Sequence, residues 1–365
     1  VDGGGCMVTL VGDGIENPAN VQALLEAAAM FGVPCAFRDD RSVQLTPPVI
    51  AVDNAPGAES VYRTAKVHSG ASVVVGNERR GIRPDLLRAA ARTVHIPMPG
   101  RGVNTLNVAT AAAVALYYLC GAAGRRAVRG SRPESHRPAV LLAAPRDHVE
   151  AGSSLRSAAA FGWSTVAVAD RERVWFDTPR PVRAEGRAAA RSHRNPLRVL
   201  RSEGVGSQYT RIVICSSDSG AGPPIHRVDL TGAATLIVVP DGDWAPPPGL
   251  PVEYAQVPGP SRYRLVSGVV LAEVARQLGP RPDGSAGRPP RPGVPQRAPA
   301  RHRSRGRGAR TVGAAALLKR PTGTRTPRRE TAQQRPRTGK PRRAGRAGKA
   351  AQSRPRGEGR AEQAA

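Results

Sequence analysis

Three short stretches of this 365-residue chain carry the residue types that could do chemistry. The first is Gly76-Asn77-Glu78-Arg79-Arg80-Gly81, directly after the run Val73–Val75. The second is Ile96-Pro97-Met98-Pro99-Gly100, after Val94-His95. The third is Asn104-Thr105-Leu106-Asn107, ahead of an alanine-rich segment. Glycines let backbone N–H and C=O groups approach a ligand that a side chain would block. The three stretches suit a small-molecule pocket, and their residue types alone leave the ligand open.

The elements that must position these loops are legible around them. Val73–Val75, ended by Gly76, reads as a short buried parallel strand. Val94–Ile96 reads as another, stopped by Pro97 and Gly100. Asn107 to Leu119 has strong helix propensity and predicts a buried amphipathic helix. Loops at the carboxyl ends of parallel strands are where α/β folds place ligands. Upstream, Cys6–Val11 predicts a first strand, and Cys35–Phe37 and Val49–Val52 predict two more. Between them Asn17 or Asn20 caps a helix with Val21, Leu24, Leu25 and Ala28 on one face, and Gly32 ends it. Other chemistries find little support. Gly12-Asp13-Gly14 lacks the third glycine and the later acidic residue of a dinucleotide fingerprint. Cys6, Cys35, Cys120 and Cys215 stand far apart, so neither a metal site nor a disulfide framework is indicated. No Gly-x-Ser-x-Gly elbow supports a hydrolase.

Gly76-Asn77-Glu78-x-x-Gly81, Ile96-Pro97-Met98 and Thr105-Leu106-Asn107-Val108 resemble, in order and spacing, the second and third motifs of the SpoU (TrmH-like) family of the SPOUT class. Asn17 to Val33 is similar to that family's first motif. The resemblance implies an RNA 2′-O-ribose methyltransferase that uses S-adenosylmethionine. It also implies a deep trefoil knot at the carboxyl end of the first sheet, a feature almost absent from proteins at large. The matching cofactor-binding positions are Val75, Gly76, Asn77, Glu78, Gly81, Ile96, Met98, Thr105, Leu106 and Asn107. Thr105 stands where the family usually has serine, which keeps the hydroxyl. The first motif's arginine, six residues after its second asparagine (here Asn20), is replaced by Glu26. That reversal is expected to disable this half as a donor of the arginine.

The pattern then recurs. Ala139–Ala144 predicts a strand, Val149 to Trp163 a helix and turn, and Val166–Ala169 the next strand. Setting Phe161-Gly162 against Phe31-Gly32 puts Glu150 on Asn20 and Arg156 on Glu26. Thr235–Val239 corresponds to Val73–Val75, but Pro240-Asp241-Gly242-Asp243 replaces the glycine-asparagine-glutamate loop. Leu265–Leu278 is similar to the last helix, with Val266 in place of Asn107. A repeat of about 130 residues is indicated, its second copy lacking the cofactor loops. The expected organisation is α/β: a cofactor-binding SPOUT-like domain at 1–120, a basic linker at 121–138, a degenerate SPOUT-like domain at 139–279 and a disordered tail at 280–365. Family members work as dimers in which the arginine crosses to the partner's cofactor site. The complementary losses here predict an intramolecular pseudo-dimer with one composite site, to which the second copy supplies Arg156. The resemblance gives Asn20, Glu78, Asn107 and Arg156 the catalytic roles. Arg156, which stays protonated, grips the phosphate beside the target ribose, and Glu78 and Asn107 shape the pocket and orient the hydroxyl.

Charge points the same way. The formal net charge is +27. Residues 280–365 hold 24 Lys and Arg against 4 Asp and Glu and no aromatic residue, leaving +7 for the rest. Such a tail cannot bury enough surface to fold and suits a polyanionic partner, most simply RNA. Arg180, Arg183, Arg187, Arg191, Arg194, Arg198 and Arg201 form an insert that reads either as a solvated helix face or as a phosphate-binding surface. The N-terminus lacks the features of a signal peptide, and Val108–Ala123 is too short to span a membrane. A cytoplasmic protein without membrane attachment is expected. The competing expectations are a non-catalytic RNA-binding protein on a decayed scaffold and a methyltransferase acting on a base or a protein.

Overall fold

The computed structural model describes residues 8–39, 44–67, 70–99, 105–121, 137–177, 197–202, 205, 208–217, 222–242, 244–259 and 262–279. The knot, the linker, the tail and most of the arginine insert turn on residues outside these: 100–104, 122–136, 280–365 and 178–196. No described helix is long and apolar enough to cross a membrane.

The first half builds β1 (Thr9–Asp13), α1 (Pro18–Met30), β2 (Cys35–Arg38), β3 (Val49–Val52), β4 (Glu59–Ser60), β5 (Ser72–Gly76), α2 (Pro84–Ala89), β6 (Arg92–His95) and α3 (Val108–Leu116). Its sheet is wholly parallel in the order β2-β1-β5-β3-β6-β4. Strand alternation sorts β5 by residue. Val73 and Val75 face the core shared with α1 and α3, while Val74 faces a smaller cluster with Val11, Ala51 and Leu86 of α2. Both faces are covered, which is why these strands read as continuous apolar runs.

The second half builds β7 (Ala139–Ala143), α4 (His148–Ala160), β8 (Thr165–Ala169), β9 (Arg198–Arg201), β10 (Arg211–Ser216), β11 (Thr235–Pro240), β12 (Val252–Gln256) and α5 (Tyr263–Leu278). This sheet is also wholly parallel, in the order β12-β10-β11-β7-β8-β9. Read from the other edge, β8-β7-β11-β10-β12 repeats the serial order of β2-β1-β5-β3-β6. The extra strands β4 and β9 sit at outer edges. Arg198 and Arg201 therefore lie on an edge strand, not on a solvated helix face.

The two sheets do not stand apart. One continuous core runs from Leu10 and Val73 through α3 to α5, Val213 and Ile237, and all described residues fall in one unit, 1–295. The helix expected at Asn107–Leu119 is α-helical only to Leu116 and closes in a π turn over Tyr117–Gly121. Nor is α3 amphipathic in its setting. Its residues are buried nearly all round because α1, β5 and α5 surround it. Where α3 meets α5, Gly268 lies so close to Thr110 that a Cβ would strike its methyl.

Candidate active site

The first loop is built by its own residues. Gly76 ends β5, and a Cβ there would run into the backbone of Gly81 and Ile82. Asn77 and Gly81 pair across the loop, Gly81 N donating to Asn77 O at 2.8 Å, with Gly81 at φ +69° where glycine is favoured. The Asn77 side chain is buried. Its Oδ1 accepts from Arg79 N at 2.9 Å and Arg80 N at 3.2 Å, and its Nδ2 donates to Gly14 O at 2.6 Å. Asn77 thus ties the loop after β5 to the loop after β1. Glu78 next to it is exposed.

A second post escaped the sequence reading. Asp13 at the end of β1 is buried and accepts from Arg83 three times: Nε at 2.9 Å and Nη2 at 2.6 Å to Oδ1, and the backbone N to Oδ2 at 3.1 Å. A buried carboxylate needs such a partner. The signal was an acid at the end of an apolar strand, which the failed glycine fingerprint hid.

The remaining residues gather from β6 and α3. Ile96 is buried, and Met98 and Leu106 are half-buried and packed against the core. Tyr62 donates to Pro97 O at 3.3 Å, and burial pushes its phenol well above the usual range. Burial likewise lowers the His95 pKa. Asn107 is the N-cap of α3: its Oδ1 accepts from Ala109 N at 3.0 Å, and its Nδ2 donates to Asn20 Oδ1 at 3.1 Å. Asn20 and Asn107 therefore form one pair, fixing α1 against the start of α3.

Arg156 comes from α4, in the other half. Its Nη2 donates to Thr105 Oγ1 at 2.6 Å and its Nε to Thr105 O at 3.2 Å. The guanidinium thus rests on the loop that leads into α3. Glu26 on α1 forms an ion pair with Arg262, at the start of α5. The second half's corresponding loop is filled by its own side chains. Asp241 accepts from Arg146 N at 3.1 Å, and the Arg146 guanidinium lies against Gly242 where a Cβ would stand. Among the described residues, no cluster of acids, cysteines or histidines could hold a metal.

The matched positions supply apolar side chains (Ile96, Met98, Leu106), polar groups (Thr105, Asn107, Glu78) and, through Arg156 on Thr105, a cation from the other half. Residues 44–117 match the model of the SpoU rRNA Methylase family. That span holds β3 to α3 and every matched position from Val75 to Asn107, and it leaves out α1 and the second half. No curated protein matches the chain. Among solved structures, one described as an RNA 2′-O ribose methyltransferase is 27% identical with a TM-score of 0.27, over 32% of this chain and 56% of that one. An AdoMet-bound rRNA methyltransferase from Sinorhizobium meliloti is 19% identical with a TM-score of 0.26, over 31% and 55%. A protein described through 2-OH methylation of C/U34 on tRNA is 26% identical with a TM-score of 0.28, over 32% and 90%. The chain spans little more than half the length of the first two.

Proposed function

We propose that this chain is a SpoU-type RNA methyltransferase, passing a methyl group from S-adenosylmethionine to a ribose 2′-hydroxyl of tRNA or rRNA. The reading has one composite site, formed where two similar halves of one chain meet as a pseudo-dimer. The observation that carries it is the seat of Arg156 on Thr105, because it brings a second-half cation to the first half's matched motifs. The common strand order of the two sheets supports descent from a duplicated unit.

The residues present fit the cofactor. Ile96, Met98 and Leu106 would offer it apolar contacts, and Thr105, Asn107 and Glu78 polar ones. When bound it supplies an electrophilic methyl. The chain then has to hold the ribose hydroxyl in line with that methyl, and such positioning provides much of the rate. Arg156 cannot act as a base, since guanidinium keeps its proton. Seated on Thr105, its guanidinium would grip the phosphate beside the target ribose and stabilise charge growing on the attacking oxygen. Glu78, exposed on the loop after β5, would orient the hydroxyl. Asn107 and Asn20 hold the start of α3, and with it Thr105, in place.

The test is transfer of labelled methyl groups to tRNA and rRNA transcripts. Arg156→Ala is expected to lower kcat by about 100-fold or more, the scale of losing one charge-stabilising donor, with cofactor affinity changed less than about threefold. A variant that keeps wild-type transfer overturns the composite site. Absence of cofactor binding at millimolar concentration overturns the enzyme reading in favour of a non-catalytic RNA-binding protein.

A further inference from the structure

Glu26 reads in the sequence as a lost arginine, yet the structure gives it a partner of its own. Each half's first helix sends one charged side chain to the entry of the other half's last helix. Arg156 of α4 reaches Thr105, at the entry of α3. Glu26 of α1 reaches Arg262, the N-cap of α5. Both stand six residues before the glycine that follows their helix, Gly162 and Gly32, so the two contacts occupy equivalent places with opposite charge.

The surroundings of Glu26 are built for that charge. The Arg262 guanidinium lies between two carboxylates, Glu26 from the first half and Glu150 from α4, with Nη1 3.5 Å from Glu150 Oε1. Glu150 Oε2 accepts from Arg264 N at 2.9 Å in the first turn of α5, and its Oε1 stands 3.4 Å from Arg264 Nε. A carboxylate at a helix N-terminus is favoured by the helix dipole. The adjacent Glu26 carboxylate, helped by Glu150 and opposed by burial, holds the Arg262 pKa above its ordinary value. Gln22 adds a hydrogen bond to Glu26 Oε1 at 3.1 Å. An arginine at position 26 would face Arg262 instead.

We infer that Glu26 and Arg262 are positioning residues: they clasp α1 to α5 and so fix how the two halves meet. α5 packs on both α3 and α4, and the Gly268–Thr110 contact leaves little freedom where α3 and α5 cross. Holding the entry of α5 therefore holds α4, and with it the reach of Arg156 onto Thr105. The apparent defect in the first half is, on this account, what aligns the surviving site. The same cluster fills the entry of α5 with the chain's own side chains, so one cofactor per chain is expected.

This inference rests on the proposed methyl transfer. The test compares Glu26→Arg, Arg262→Glu, the double exchange and Glu26→Ala in the full chain. It measures methyl transfer, cofactor affinity by calorimetry and thermal unfolding. Glu26→Arg, which restores the arginine that the resemblance implies, is expected to lower kcat about tenfold or more while cofactor affinity stays within about twofold. The double exchange is expected to recover transfer above either single variant, a rescue that loss of packing would not give. Glu26→Ala, the milder change, is expected to lower kcat about threefold. Wild-type or higher transfer by Glu26→Arg or Glu26→Ala overturns the clasp, as does a double exchange no better than the worse single. If the unaltered chain transfers no methyl group, the enzyme reading fails. Non-additive unfolding midpoints for positions 26 and 262 would still support the clasp, and additive ones would overturn it.

Discussion

Gly76 stands where β5 gives way to the loop, and a Cβ there would meet main chain that cannot swing aside. Gly76→Ala is therefore expected to force residues 77–82 outward, at a cost of about 1–3 kcal/mol, the range for overpacking a filled site. Cofactor affinity should fall at least about tenfold by calorimetry, with the far-ultraviolet circular dichroism unchanged. Gly32 is the control. It has φ +63° but nothing within 4 Å of a Cβ, so Gly32→Ala pays only backbone strain of about 1–2 kcal/mol and should leave cofactor affinity alone. The contrast separates a glycine needed for close approach from one needed for its backbone angle. It also shows what sequence can assign at this scale. The motif placed Asn77 among the cofactor contacts, whereas its side chain is spent on Arg79, Arg80 and Gly14. Residue type and spacing locate a loop, and the choice between contacting a ligand and holding the loop depends on neighbours as distant as Gly14.

At the scale of elements, the end of α3 decides how the halves join. The π turn carries Tyr117 and Tyr118 into the second half. Tyr118 donates to Glu273 Oε2 at 2.8 Å, and Tyr117 Oη lies 2.9 Å from His226 Nδ1. Glu273 is wholly buried and also accepts from Arg276 Nη2 at 2.6 Å and Gln277 Nε2 at 2.9 Å. Burial, reinforced by Glu273, pushes the Tyr118 phenol well above its ordinary value, so it remains a donor across the accessible pH range. Tyr118→Phe removes one donor from a buried carboxylate and should cost about 1–3 kcal/mol, read as a lower urea midpoint with an unchanged slope. None of this was legible beforehand, because Tyr118 and Glu273 are 155 residues apart in the chain and each reads as an ordinary helix residue. Elements buried on both faces were the readable ones: β3 and β7 announce themselves as apolar runs, and Asn107 marks the start of α3. The edge strand β9 went unassigned because arginines take two of its four residues. α3, expected as a buried amphipathic helix, is buried nearly all round, because α5 of the other half covers it as well.

The whole molecule divides its labour between shape and charge. One core joins the two sheets, while most of the formal charge of +27 lies in residues 280–365, with 24 Lys and Arg against 4 Asp and Glu. Contacts between cations and phosphates release counterions, so each contributes close to one unit to the slope of log affinity against log salt. Removing residues 280–365 is accordingly expected to weaken RNA binding and flatten that slope by several units. Arg156→Ala, a single cation at the site, should change it by about one at most. Transfer at saturating RNA should survive the truncation within about twofold, with KM for RNA raised about tenfold or more at 0.15 M salt. That split follows if the tail gathers substrate and the joined halves carry out the reaction. A truncated chain with an unchanged slope would show that its arginines leave the phosphates alone. RNA would then have to be held by the body, where Arg198 and Arg201 on the edge strand β9 are the described cations to mutate next.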